Sequence, residues 1–360
     1  MGSLTTNLSK DILLMLVPWE EKDDKWRTRI QAKYPGLEIR WVNTGWKFPA
    51  DPLPEAELHG ATLLCAGLPP SPEEAKLLPN VRFVQLVSAG ADRWLGSALY
   101  QNPDITFCTS NGTHPPQIAE WVIGTWLMMS HRFLDYAEEQ KKGKWGGPTS
   151  LGVQDSPGLR MGILGYGAIG RQCARLGQAL GMEVYAYTRN EKSTPESRKD
   201  DSYCVPGTGD PDGLIPAKWF HGPTKEDVNN FLAQDIDLLV LALPLTEASK
   251  GILGSEQFEI LSKKKTFVSN IARGQHIDTD ALLDALQSGK IRGAALDVTD
   301  PEPLPDGHPL FTAPNVFITP HVSWQTPHYV TRALAILEIN LDALKDGKPL
   351  INVINKEHHY

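Results

Sequence analysis

The hydrophobic pattern of the first 110 residues predicts short buried strands that alternate with helices. Short apolar runs recur there and are separated by polar segments and by Pro- and Gly-rich turns, which is typical of strands buried on both faces of a sheet. The predicted strands are Ile12–Val17, Leu37–Val42, Ala61–Ala66, Arg82–Val87 and Ile105–Cys108. Strands that alternate with helices indicate the α/β class, with a parallel sheet covered by helices on both faces.

A second series of the same kind starts at Arg160. Residues 191–223 interrupt this series with a Gly/Pro-rich stretch that is long for a loop, which indicates an insertion at the rim of a domain. Two series in 360 residues, at about 150 residues per domain, predict two doubly wound domains. The predicted strands of the second series are Arg160–Leu164, Glu183–Tyr187, Leu238–Leu243, Thr266–Ser269, Ala294–Val298 and Val316–Ile318.

Two apolar helices are predicted outside both series. Pro115–Arg132 is apolar on most sides, which predicts a buried helix that bridges two domains or lies in a subunit interface. Trp324–Leu344 carries leucines along one face and is expected to pack back on the first domain.

Charge and composition exclude several classes of partner. The chain has 35 basic and 43 acidic residues, a net charge of −8, whereas a nucleic-acid-binding surface is ordinarily basic. No apolar run approaches the roughly 20 residues of a membrane span, and no signal peptide is predicted. The four cysteines form no C-x-x-C pair, so we predict reduced thiols and no metal site. Together with the lack of a predicted span or signal peptide, this pattern predicts a cytoplasmic location and no membrane partner.

A glycine-rich turn is the sharpest local motif. It follows the predicted strand Arg160–Leu164 and opens a helix. Gly165 permits a tight turn, Gly167 lets a pyrophosphate approach the backbone, and Gly170 lets the helix lie close to the strand. The start of the helix offers N–H groups and a positive dipole end, so the turn predicts a bound dinucleotide; the alternative is a turn without a ligand. The predicted contacts are Gly165, Tyr166, Gly167, Ala168, Ile169 and Gly170.

The end of the next strand indicates which dinucleotide is bound. Folds that bind NAD place a carboxylate there for the ribose hydroxyl, but this chain has Thr188, Arg189 and Asn190. A guanidinium pairs with a 2′-phosphate that a carboxylate would repel. We therefore predict that NADP(H) is preferred and NAD(H) is possible. In the alternative, Arg189 is a solvated charge and Glu191 binds the ribose.

Candidate catalytic groups follow three later strands, at the edge where open parallel sheets bind ligands. Hydride transfer to a ketone leaves an alkoxide, and His321 can supply its proton near neutral pH. A hydrogen bond to Glu302 would orient the ring and stabilise its charged form. Arg273 would bind a substrate carboxylate and polarise the neighbouring carbonyl. The alternative for each is a solvated or structurally paired charge.

These segments together resemble the D-isomer-specific 2-hydroxyacid dehydrogenase family over nearly the whole chain. The resemblance implies an oxidoreductase of the glyoxylate/hydroxypyruvate reductase type that acts on a small 2-oxo or 2-hydroxy acid. The resemblance also implies that His321 is the general acid/base, that Glu302 is its partner and that Arg273 is the substrate-binding and catalytic arginine. The segments that carry the resemblance are Gly165–Gly170, Leu241–Thr246, Asn270–Gly274, Asp297–Pro303 and Thr319–His321.

The resemblance also implies further contacts. For the cofactor, these are Asp297 and Ala272 beside the nicotinamide and Leu243, Pro244 and Thr246 along the adenosine. For the substrate, the backbone of Ser88, Ala89 and Gly90 would grip the carboxylate, and Trp324 would narrow the pocket. The alternatives are an ordinary turn after a strand and a tryptophan packed at the start of the last helix.

Family architecture implies a discontinuous flavodoxin-like substrate domain, a Rossmann cofactor domain and a cleft between them. The expected bounds are 1–114 with 325–360 for the substrate domain and 115–324 for the cofactor domain. A homodimer is also implied. The C-terminal-binding-protein corepressors share this fold and a Pro-His-x-x-Trp segment, so a dinucleotide-gated dimeric scaffold is the alternative to an enzyme. The segment His114–Gln117 departs from the family pattern.

Overall fold

The structure, a computed structural model, describes residues 8–21, 24–45, 52–146 and 152–357. The chain divides into two compact units. The first unit contains the residues up to Thr113 and those from Pro327 onward, and the second unit is His114–Thr326. Each unit holds its own sheet, as the two hydrophobic series predict. The binding role expected for each unit stays a prediction.

In the part of the chain that the structure describes, the strands have three to six residues, and the longest helices are Pro115–Ser130 and Tyr329–Asp346, with 16 and 18 residues. Up to residue 113 they are β1 Ile12–Val17, α1 Asp24–Lys33, β2 Glu38–Asn43, α2 Glu55–Leu58, β3 Leu63–Ala66, α3 Pro72–Ala75, β4 Phe83–Leu86, α4 Ala98–Gln101 and β5 Thr106–Cys108. Beyond it they are α5 Pro115–Ser130, α6 Phe133–Lys141, β6 Arg160–Leu164, α7 Ala168–Ala179, β7 Glu183–Thr188, α8 Pro195–Arg198, β8 Lys218–His221, α9 Lys225–Leu232, β9 Leu238–Leu241, α10 Ser255–Ser262, β10 Phe267–Asn270, α11 Thr279–Gln287, β11 Gly293–Leu296, β12 Val316–Ile318 and α12 Tyr329–Asp346.

The first unit is built on a five-stranded sheet with the order β2-β1-β3-β4-β5, in which every pair is parallel. This is the flavodoxin-like order. The strands β3 and β4 are buried along their whole length, which is why their sequences are nearly continuous apolar runs. Gln85 is the polar exception in β4, and its side-chain oxygen accepts a hydrogen bond from Asn340 of α12 at 2.8 Å.

The last helix starts later than predicted. The sequence pattern placed its start at Trp324, whereas α12 begins at Tyr329. The residue before a proline is disfavoured in the helical conformation, so Pro327 prevents a continuous helix from Trp324. The leucine-bearing face is buried in the first unit as expected.

The second unit has a seven-stranded, fully parallel sheet with the order β12-β11-β10-β9-β6-β7-β8. It is the Rossmann order extended by one strand, and β6 lies between β9 and β7 at the point where the order reverses. The fold class, two doubly wound parallel-sheet α/β domains, is confirmed.

The expectation that all of 191–223 forms a rim insertion is wrong at its end. Lys218–His221 forms β8, the edge strand beside β7, and Thr188 is registered with His221. The short Lys-Trp-Phe-His sequence lacks the continuous apolar run of the central strands, because an edge strand is only partly buried.

The apolar helix α5 belongs to the second unit. Its buried residues, Val122 and Trp126 among them, pack against Met161 of β6 and Cys173 of α7. A homodimer that uses this region stays a prediction. Among the described residues, none of the helices combines the length and apolar character that crossing a membrane requires.

Candidate active site

The predicted cofactor and catalytic segments all leave the carboxyl edge of one sheet. The glycine turn follows β6, Arg189 follows β7, and Leu243 follows β9, and these three strands are neighbours. Arg273 follows β10 and His321 follows β12, with β11 between them. The edge therefore has a half suited to a dinucleotide and a half that carries the predicted catalytic side chains.

Two of the three glycines in the turn are required by packing within the protein, and the third is not. Gly165 has φ +98°, and a Cβ there would lie 2.7 Å from the carbonyl carbon of Ala242. A Cβ on Gly170 would lie 2.3 Å from the oxygen of Gly165. Gly167 has an ordinary φ of −88°, and a Cβ there would meet no atom within 4 Å. The packing of the protein explains Gly165 and Gly170, whereas the space beside Gly167 fits an approaching pyrophosphate.

The start of α7 adds an electrostatic reason for a phosphate to bind there. Gly167 is the N-cap residue and has no side chain to satisfy the first N–H groups of the helix. Those N–H groups and the helix dipole favour an anion. The residues present therefore fit a dinucleotide.

The end of β7 presents a cation. Arg189 and Asn190 are exposed, and the Thr188 hydroxyl donates to the Asn190 carbonyl at 2.7 Å, which shapes the turn that carries Arg189. Glu191, the residue that could bind a ribose hydroxyl instead, is also exposed. Both predicted interpretations of this segment are sterically accessible.

His321 and Glu302 form a hydrogen-bonded pair. The distance from Nδ1 of His321 to Oε1 of Glu302 is 2.7 Å. Within the described chain Nε2 of His321 has no hydrogen-bond partner, and 38% of the side chain is exposed. The hydrogen bond from His321 holds the pKa of Glu302 below its ordinary value, despite some opposing burial, and the charge of Arg273 adds to the effect. Glu302 therefore remains an acceptor for Nδ1–H while Nε2 faces outward.

The loop that carries His321 is held by a buried carboxylate. Asp297 is 1% exposed, and its oxygens accept from the Thr319 hydroxyl, from the N–H of Val322 and from both the N–H and the hydroxyl of Ser323. Its carbonyl accepts the N–H of His321 at 2.8 Å. These bonds maintain His321 at φ +54°, a conformation that non-glycine residues seldom adopt. The predicted contact of Asp297 with the nicotinamide stays a prediction.

Arg273 lies on a tightly braced turn. The side-chain amide of Asn270 donates to the Arg273 carbonyl at 2.9 Å and accepts the N–H of Ala272 at 3.1 Å. A Cβ on Gly274 would lie 2.0 Å from the carbonyl carbon of Thr299, so only glycine lets this turn touch the loop after β11. The turn thereby brings the charge of Arg273 close enough to lower the pKa of Glu302.

Sequence reasoning missed His276, which braces the same turn. It is fully buried, with Nδ1 3.2 Å from the Arg273 nitrogen and Nε2 3.3 Å from the Pro244 oxygen. Nδ1 also lies 3.0 Å from the Arg273 carbonyl oxygen, so the ring contacts both backbone groups of Arg273 whichever nitrogen carries the proton. It thus ties Arg273 to the Leu243–Thr246 segment. The available signal was a histidine three residues after Arg273.

The predicted carboxylate-binding turn lies in the first unit. The hydroxyl of Ser88 donates to the Gly90 carbonyl at 2.7 Å, and Tyr329 donates to the Val87 carbonyl at 2.9 Å. Among the described residues, the N–H groups of Ala89 and Gly90 meet no acceptor. Such a turn is suited to an anion. Its role in substrate binding stays a prediction.

Trp324 is placed by two hydrogen bonds within the second unit. Its indole N–H donates to the His321 carbonyl at 2.8 Å, and its own carbonyl accepts from the amide of Gln117 at 2.9 Å. The ring packs partly against the core that contains α5. Trp324 therefore braces the His321 loop, and a substrate contact stays a prediction.

Together, the Rossmann sheet, the glycine turn and the hydrogen-bonded His321–Glu302 pair are typical of a dinucleotide-dependent oxidoreductase. The family model of the D-isomer specific 2-hydroxyacid dehydrogenase NAD-binding domain matches residues 123–206 and 217–323. The chain belongs to the D-isomer specific 2-hydroxyacid dehydrogenase family, and the predicted resemblance is confirmed. It is an NAD(P)-dependent oxidoreductase.

Individual relatives cover most of the chain. A glyoxylate reductase of Aeropyrum pernix is 32% identical over 294 residues, 78% of each chain. A glycerate dehydrogenase of Methylorubrum extorquens is 29% identical over 300 residues, 81% of this chain and 85% of the relative. A D-isomer specific 2-hydroxyacid dehydrogenase of Xanthobacter autotrophicus Py2, solved with NADPH and MES, is 26% identical with a TM-score of 0.72 and covers 97% of this chain and 99% of its own.

Proposed function

We propose that the protein is an NADP(H)-dependent reductase that converts a small 2-oxo acid of the glyoxylate or hydroxypyruvate type into its 2-hydroxy acid. The observation that carries the proposal is the His321–Glu302 pair, with Nε2 of His321 accessible, at the same sheet edge as the glycine turn. The names of the relatives support the substrate class, and the NADPH in the Xanthobacter autotrophicus structure supports the cofactor. NADPH oxidation in the presence of individual 2-oxo acids tests it.

In the proposed mechanism, the glycine turn and the start of α7 hold the pyrophosphate, and Arg189 binds the 2′-phosphate. The nicotinamide, when bound, supplies the hydride. Arg273 binds the substrate carboxylate with its planar guanidinium and polarises the adjacent carbonyl. These contacts orient the keto carbon before the reaction.

His321 supplies the proton. The charged ring donates from Nε2 to the oxygen of the substrate as negative charge develops there. Glu302 accepts the Nδ1–H before and after the transfer, which keeps the ring oriented and stabilises its charged form. In the oxidative direction the neutral Nε2 takes the proton back.

Replacing Arg189 with alanine tests the choice of cofactor. We expect kcat/KM for NADPH to fall about tenfold, because a charge-assisted contact to the 2′-phosphate is lost, while kcat/KM for NADH stays unchanged. Lys263→Ala is the matched control, because Lys263 is exposed just before β10, at the opposite edge of the sheet. Equal losses with both cofactors, or no loss with NADPH, would contradict the assignment.

Replacing Glu302 with glutamine tests the proton-transfer pair. The lowered pKa of Glu302 keeps its carboxylate charged in acid, where it can still accept the Nδ1–H of His321. Glutamine keeps an acceptor oxygen but lacks the charge that supports the ring during proton transfer, so kcat for reduction should fall about tenfold or more. Asp306→Asn, at an exposed carboxylate of the same loop, should leave kcat unchanged. An unchanged kcat in Glu302→Gln would refute the pairing.

A further inference from the structure

The connection between α8 and β8 contains a segment that the family model does not match. The match ends at residue 206 and resumes at 217, so residues 207–216 lie outside it. We call residues 207–216 the added segment. It follows the strand end that carries Arg189 and is folded against α7, the helix that opens at the glycine turn.

Side chains on the first turns of α7 hold the added segment in place. The Gln172 side-chain oxygen accepts the N–H of Gly209 at 2.6 Å, and Arg175 donates to the Gly209 carbonyl at 3.3 Å. Arg171 is buried, donates to the Asp210 carbonyl and forms an ion pair with Asp200 at 3.2 Å. The added segment is therefore an ordered part of the cofactor-binding half.

A buried carboxylate links this segment to the glycine turn itself. Asp210 is 6% exposed, and its carboxylate accepts the hydroxyl of Tyr166 at 2.8 Å together with the N–H groups of Leu214 and Ile215 at 3.0 and 3.1 Å. Tyr166 is 4% exposed, and its ring contacts Trp219 edge-on at 4.9 Å. Burial and the Asp210 charge raise the pKa of Tyr166, so its hydroxyl stays protonated as the donor.

We propose that Asp210 is a positioning residue for the dinucleotide, acting through Tyr166 on the turn between Gly165 and Gly167. A residue flanked by two glycines lies on a backbone with unusual conformational freedom, which must be lost when a pyrophosphate binds. Anchoring the Tyr166 side chain at its ring and its hydroxyl removes that freedom beforehand. Preorganisation of this kind strengthens binding without adding a contact to the ligand. The inference rests on the dinucleotide site of the proposed function.

The test compares dissociation constants of the cofactor, measured by titration of the full-length protein without substrate. Tyr166→Phe removes only the hydroxyl and should raise Kd about tenfold, the size expected when the backbone of one residue must be ordered on binding. The increase in Kd should be the same for NADPH and NADH, because the pyrophosphate is common to both. Arg189→Ala, in contrast, should affect NADPH alone. Asp212→Asn removes an exposed carboxylate of the same segment and should leave Kd unchanged.

A double-mutant cycle separates this role from simple stabilisation. If Tyr166 acts through Asp210, Tyr166→Phe should have no further effect on Kd in an Asp210→Ala background, which has no side-chain acceptor for the hydroxyl. A Kd within twofold of wild type for Tyr166→Phe, at a temperature where circular dichroism shows it folded, would overturn the proposal, whether or not Asp210→Ala folds. If the wild type itself binds neither cofactor, the dinucleotide site of the proposed function fails instead.

Discussion

Replacing His321 with glutamine is expected to lower kcat for 2-oxo acid reduction by about three orders of magnitude, the middle of the range for general acid catalysis. Glutamine can still hydrogen-bond to Glu302, but its amide cannot donate a proton to the substrate oxygen as the charged imidazole does. Cofactor affinity should change little, because the glycine turn and Arg189 lie at other strand ends of the sheet. Steady-state kcat and a separate NADPH titration measure the two quantities.

The control is a second exposed histidine beside a carboxylate. His59 lies 4.0 Å from Glu55 in the first unit, so His59→Gln removes a similar exposed pair away from the proposed chemistry and should retain full kcat. A His321→Gln enzyme that keeps kcat within about tenfold of wild type would refute the general-acid assignment. Equal losses of kcat in His321→Gln and His59→Gln would also refute it.

Replacing Arg273 with alanine is expected to damage binding and catalysis together. The guanidinium is proposed to contact the substrate carboxylate in the ground state and the developing negative charge in the transition state. We therefore expect a higher KM, a lower kcat, and a fall in kcat/KM of about three orders of magnitude for the 2-oxo acid. Initial rates over a range of 2-oxo acid concentrations at saturating NADPH separate the two parameters.

Arg273→Lys is the informative companion, because it keeps the charge but loses the planar fork, and it should recover only part of the activity. Arg29→Ala removes an exposed arginine of the first unit that pairs with Glu338, and it should leave the kinetics unchanged. If Arg273→Ala changes only thermal stability, or raises KM with kcat intact, the catalytic role of the guanidinium is excluded.

The parts of the fold that the sequence predicted best are those set by local burial. β1, β6 and β12 have the predicted bounds, because each is a short apolar run ended by a turn. β8 was missed, because an edge strand is only partly buried and its pattern is weak. The start of α12 was predicted too early, because the leucines of its buried face begin only at Leu334 and Pro327 excludes the residues before it from the helix.

Only part of the candidate site could be predicted from the sequence. The side chains proposed to carry the chemistry, such as His321 and Arg273, could be predicted from residue type and position after a strand. The groups that hold them could not, because their roles depend on which backbone atoms the fold brings near. Asp297 accepts hydrogen bonds from a loop more than twenty residues away in sequence, and His276 joins two strand-end loops. Asp210 meets Tyr166 only because the added segment folds back on α7.

The most direct test of the account is an NADPH-oxidation assay of the purified protein with glyoxylate, hydroxypyruvate and larger 2-oxo acids, each run beside the His321→Gln variant. We expect turnover with at least one small 2-oxo acid, formation of the matching 2-hydroxy acid, and loss of that turnover in the variant. No turnover with any of these acids, together with cofactor-dependent dimerisation, would contradict the enzyme assignment and favour a dinucleotide-gated scaffold.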